Sequence, residues 1–121
     1  MSEILITNNP AAASSYAGRL ETIYLEDAAY LTVLYQTRDK IHEGHRLVTH
    51  PLSGSIKPGQ TPYKSILITK AKGDLDVDSL KIIEDSIVTA RKLTEGKKEP
   101  VWPEKTLEDF QLIDLDLITR R

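Results

Sequence analysis

Three histidines, His42, His45 and His50, stand within nine positions of one another at the head of an unusual stretch. From Arg46 to Lys72 there are five basic residues (Arg46, Lys57, Lys64, Lys70 and Lys72) and no acidic one. Inside it, Ser53-Gly54-Ser55 is followed by Lys57, and Lys64 and Ser65 close the segment. Such a turn can hold an anion, because glycine lets backbone N–H groups face inward, hydroxyls donate and lysine supplies point charge. No GxxxxGK[ST] or GxGxxG spacing is present, so this is no standard nucleotide loop. His50 beside the turn is a candidate proton donor or anion ligand near neutral pH. His42 is the second candidate acid or base, with Arg38 one helical turn earlier completing a cationic stripe. An orienting carboxylate has to come from outside the basic stretch, for example Asp39 or Glu43. The plainer readings are a helix-end cation for His42, a structural strand-end ring for His50, and loop lysines that keep the surface solvated. His45 and His50 are five apart and face opposite sides of an extended chain, and HEGH is not HExxH. No metal and no cofactor is expected.

The elements that position these residues follow from apolar pattern and turn chemistry. Residues 4–7 form a buried strand that stops at Asn8-Asn9-Pro10, and residues 11–18 suit a short helix. A second strand covers 22–25, and Asp27 is placed to cap a helix ending near Glu43 before Gly44. A third short strand is expected at 47–49, a fourth at 65–69 and a fifth at 113–117, where Ile113-Asp-Leu-Asp-Leu117 alternates strictly. Asp76 or Asp78 caps a helix that ends near Gly96, and Thr106 opens a shorter one. The expected fold is therefore α/β: one three-layer domain over 1–121, a mostly parallel sheet of about five strands, and helices on both faces. A long basic loop covers about 50–65 and contains Pro51, Pro58 and Pro62. Loops of that length are often functional.

Ligands of open α/β sheets settle beyond the carboxyl ends of strands. That rule joins Asn8 and Asn9 to the loop, so the expected ligand-binding set is Asn8, Asn9, Arg38, His50, Ser53, Gly54, Ser55, Lys57, Lys64 and Ser65. Asn8 and Asn9 also suit a plain Asx-turn. Trp102 is expected to cover an edge of the core, and Asp114 and Asp116 to face solvent.

Composition bounds the remaining classes. The chain has 121 residues, 40% hydrophobic and 28% charged, with net charge −2. Those values describe an ordinary globular chain and argue against whole-surface attraction to nucleic acid or anionic lipid. Cysteine is absent, which excludes disulfides and thiol chemistry. Residues 1–10 do not read as a signal peptide and no window is long and apolar enough to span a bilayer, so a cytoplasmic protein is expected.

Ile6-Thr-Asn-Asn-Pro10, Arg38 to His45, and Leu47-Val-Thr-His-Pro-Leu-Ser-Gly-Ser-Ile-Lys-Pro58 through Thr61-Pro-Tyr-Lys-Ser65 resemble the GrdX family. The resemblance covers most of the chain and departs from the family pattern at Gly59-Gln60. It implies a setting, since these small proteins are encoded with glycine, sarcosine and betaine reductase systems of anaerobic bacteria. It implies no catalytic residues. The leading expectation is an accessory protein that binds an anionic small molecule or a reductase component through the 50–65 loop. The alternative is a small enzyme using His50 or His42 as acid/base, with Ser53, Ser55 and Lys57 holding an anionic substrate. A structural role through homo-oligomerisation is a third reading.

Overall fold

The computed structural model describes residues 2–53, 56–98 and 100–119. In chain order the elements are β1 (Glu3–Thr7), α1 (Pro10–Tyr16), β2 (Glu21–Tyr24), α2 (Tyr30–His42), β3 (Ser65–Thr69), α3 (Val77–Thr94) and α4 (Glu104–Thr119). The consecutive apolar residues of β1 and β3 suit strands covered on both faces. Ile4, Ile6, Ile66 and Ile68 pack with Val33, Leu34 and Ile41 of α2 and Ile83 and Ile87 of α3. On the opposite face Leu5 and Leu67 meet Ala12 of α1 and Ile118 of α4.

The sheet has three strands in the order β2-β1-β3. β1 runs parallel to β2, with Ile4 opposite Glu21, and antiparallel to β3, with Thr7 opposite Ser65. This corrects the expected mostly parallel sheet of about five strands. Residues 47–49 make only an isolated antiparallel bridge, Leu47 to Ile68. Val48 N and Thr49 N both donate to Leu67 O, at 2.9 and 3.2 Å. The Leu67 N–H is taken by the Thr49 hydroxyl at 3.0 Å. A side chain replaces the backbone acceptor, and the ladder cannot propagate. The expected fifth strand lies within α4. There Asp114 and Ile118, four apart, are buried, whereas Leu112 and Ile113 are exposed. Five alternating residues fit either period, and the longer helical stripe prevails.

Of the other helix boundaries, one differs from expectation and two agree with it. Asp27 does not cap α2: it takes φ 57°, and Ala29 stands at the N-cap without a side-chain hydrogen bond. The first N–H groups of α2 therefore lack a side-chain partner from the cap. Gly44 ends the helix at φ 110°, where an added Cβ would stand 2.4 Å from Gly73 O. Of the two candidate caps for α3, Asp76 is the one used, accepting from Ser79 N at 3.1 Å.

Candidate functional site

Pairing Thr7 with Ser65 brings the end of β1 against the start of β3, so Asn8, Asn9, Lys64 and Ser65 meet. Asn8 joins three segments. Its Nδ2 donates to Ala28 O at 2.9 Å and Pro62 O at 2.8 Å, and its Oδ1 accepts from Lys64 N at 2.9 Å. Asn9 caps α1 by accepting from Ala11 N, while its Nδ2 donates to Gln111 O and Asp114 Oδ2, each at 2.9 Å.

Asp114 is the hub of this cluster. Its carboxylate accepts from Ser65 Oγ at 2.6 Å, Ser65 N at 3.1 Å and Asn9 Nδ2. A carboxylate only accepts, so the Ser65 proton points to Asp114 and the Thr7 hydroxyl must donate to Ser65 Oγ, 2.7 Å away. Asn9 N donates in turn to Thr7 Oγ1 at 2.9 Å. The result is one directed chain of hydrogen bonds ending on a buried charge. Among the described residues no buried side-chain polar atom lacks a partner.

Lys64 lies beside this chain and is buried, donating from Nζ to Ser53 O at 2.9 Å. Burial lowers its pKa below the ordinary lysine value, and the Asp114 charge partly restores it. Burial, and secondarily the same carboxylate, raises the Tyr30 hydroxyl, which stays neutral. Lys64, Asp114, Tyr30, Tyr63, Thr61 and Ser53 share a small cavity of about 20 Å³. The hydroxyl of Tyr63 is fixed by Gln111 Nε2 at 2.9 Å.

Tyr30 and Thr61 also line a second, larger pocket of about 290 Å³. Its walls come from the α2 entry at Ala29 and Leu31, the loop at Gly59 and Pro62, and the end of α3 at Leu93 and Thr94. Lys97, Lys98, Pro100 and Trp102 complete it. Trp102 stands edge-on to Phe110, with ring centroids 5.5 Å apart at 85°. The pocket is mostly apolar, with two lysines and the uncapped entry of α2 as its cationic parts.

The other residues expected at the site lie elsewhere. His50 is exposed, and its Nδ1 accepts from Leu52 N at 3.0 Å, closing a local turn. His42 is exposed at the end of α2. Arg38 lies over the Tyr35 ring at 5.1 Å and pairs with Asp39 at 3.7 Å. Lys57 is exposed, Ser53 contributes its carbonyl, and Gly54 and Ser55 fall outside the described residues. His45 is buried, with Nδ1 2.7 Å from Thr69 O, where it serves as donor. Among the described residues no group of three or more His, Cys, Asp or Glu could hold a metal.

Asp114, expected to face solvent, is buried, and Tyr30 and Trp102, read as core residues, line the larger pocket. Asp114 had a legible signal: in a helix running from Glu104, it shares a stripe with Phe110 and Ile118, and a carboxylate on an apolar stripe needs partners.

Residues 4–121 match a family model described as GrdX-like protein. The chain belongs to the GrdX-like protein family. Neither a curated protein nor a solved structure matches it. Among the described residues, no helix of this GrdX-like chain is long and apolar enough to cross a membrane.

Proposed function

We propose that this GrdX-like protein is a cytoplasmic accessory protein of glycine, sarcosine or betaine reductase systems that binds a small organic anion. The observation that carries the reading is the pocket in which the 50–65 loop meets the α2 entry, Lys97, Lys98 and Trp102. Apolar walls suit the body of a ligand, and lysines beside the N-terminus of α2, which has no side-chain cap, suit its charge. Tyr30 adds a second attraction. Tyr30 is 7% exposed and lines the pocket, and its hydroxyl can donate to a bound anion. The anion site thus moves from the Ser53 turn to the far half of the same loop. Lys64, buried and donating to Ser53 O, is not among the residues that line this pocket.

The enzyme reading that relied on His50 or His42 lacks support from their surroundings. His50 is engaged by Leu52 N, and no described hydrogen bond or ion pair joins either ring to an orienting carboxylate. Docking of a reductase component has its own support in exposed His50 and Lys57, which lie in the stretch 46–72 that contains no acidic residue.

A thermal-shift and calorimetry panel with acetate, benzoate, phosphate and sulfate tests the proposal. A ligand of the folded state at a hundred times its Kd stabilises by about 2.7 kcal/mol. The expected result is a melting rise with an organic anion that a Lys97→Ala, Lys98→Ala double variant loses and Lys57→Ala keeps. Binding that survives the double variant, or none with any anion, overturns the pocket. A reductase component captured through Lys57 would then carry the docking reading.

A further inference from the structure

We propose that Lys64 is an amine nucleophile that condenses with the carbonyl group of an oxo acid whose body and carboxylate occupy the larger pocket. The inference rests on the anion-binding reading of that pocket and assigns its ligand a second functional group. Three observations carry it. Lys64 projects into the core, 4% exposed, and a single described hydrogen bond, to Ser53 O, uses one of its Nζ positions. The cavity of about 20 Å³ around it admits a carbonyl group and little more. Tyr30 and Thr61 line both this cavity and the pocket of about 290 Å³, so the two spaces adjoin at those side chains, and the proposal has the ligand's carbonyl pass between them.

The surroundings match what imine formation needs. Attack requires a neutral amine, and burial favours that form of Lys64. The nitrogen lone pair adds to the carbonyl carbon, a C–N bond forms and the C=O π pair moves to oxygen. That oxygen gains a proton, with the Tyr30 hydroxyl placed as donor, and the nitrogen gives one up. The nitrogen lone pair of the carbinolamine then forms the C=N bond, the C–O bond breaks, the leaving hydroxyl takes up a proton as water and the remaining N–H proton is released, which leaves an imine with no oxidant or reductant consumed.

The experiment incubates the full-length protein with pyruvate, glyoxylate or neutral propanal in the presence of cyanoborohydride, followed by peptide mapping. Nine other lysines act as internal controls. The expected result is a single reduced adduct on Lys64 with the oxo acids, weaker labelling by propanal, and loss of the adduct in Lys64→Met. Adducts spread over exposed lysines with Lys64 unmodified overturn the proposal, as does labelling indifferent to the carboxylate. The map of the unaltered protein decides even where Lys64→Met fails to fold. Calorimetry with pyruvate separates the two readings: binding without a Lys64 adduct overturns the imine alone, and absence of binding to any anion overturns the pocket.

Discussion

Ser65 donates its hydroxyl to Asp114 at 2.6 Å and so ties the first residue of β3 to the middle of α4, 49 positions further along the chain. Asn9 and the Ser65 backbone amide converge on the same carboxylate, so one side chain of α4 gathers the segment that follows β1 and the start of β3. The contact makes the final helix part of the site rather than a peripheral cover.

Replacing Asp114 with Ala removes the shared acceptor and leaves Ser65 N, Ser65 Oγ and Asn9 Nδ2 facing an apolar gap. The expected cost is about 3 kcal/mol, from charge-assisted bonds lost and buried donors left unmade. Urea unfolding followed by circular dichroism measures it. A loss below about 1 kcal/mol would mean that water readily satisfies those donors.

Asn8→Ala deletes the bonds to Ala28 O, Pro62 O and Lys64 N. Stability should fall by about 2 kcal/mol. Amide hydrogen exchange should rise selectively at residues 61–64 and near Ala28. Uniform acceleration across the whole sheet would instead make Asn8 a general fold determinant.

Two glycines separate backbone strain from collision. At Gly18, φ is 74° and nothing lies within 4 Å of an added Cβ, so Gly18→Ala is expected to cost about 1 kcal/mol. Gly44→Ala meets Gly73 O at 2.4 Å as well as an unfavourable φ, and about 3 kcal/mol or more is expected. Thermal melts of the two variants side by side check the order.

Lys64 gives stability a distinctive pH dependence. Its folded pKa lies below the unfolded value of 10.5 because burial disfavours the ammonium. Between those two values the unfolded chain binds more protons than the folded one, so stability rises with pH across that window. Below the folded value the full burial penalty persists. Tyr30 acts in the opposite sense above its ordinary value of 10.0, since its folded hydroxyl holds its proton more tightly. Denaturant titrations at pH values below the ordinary tyrosine value of 10.0 follow the lysine contribution before Tyr30 adds to it. The rise should vanish in Lys64→Met, and the same slope in both proteins would assign it to another group.

Trp102 is the sole tryptophan and lines the larger pocket. An organic anion bound there should shift or quench its emission with the same midpoint that calorimetry gives. A bound ligand that leaves the emission unchanged would place the site elsewhere.

Much of the local structure was legible from the residues. The apolar runs 4–6 and 66–68 marked strands covered on both faces, Gly44 marked the end of α2, and an Asp marked the entry to α3. These are short-range consequences of side-chain period, capping and backbone freedom. Asn8 and Asn9 were expected to meet the loop where it leaves residues 47–49; the antiparallel pairing of β1 with β3 brings them instead to Lys64 and Ser65 at the other end of that loop. Strand count was not legible. Residues 47–49 have strand composition, yet the Thr49 hydroxyl occupies the Leu67 amide and halts the ladder. Residues 113–117 alternate like a strand, yet burial of Asp114 and Ile118 within the longer stripe of α4 makes them helical. The role of Asp114, the burial of Lys64 and the pocket beside Trp102 depend on residues far apart in sequence. Local pattern sets which segments can be helix or strand. Only packing decides which polar groups lose water together, and the need to satisfy those groups is what assembled this site.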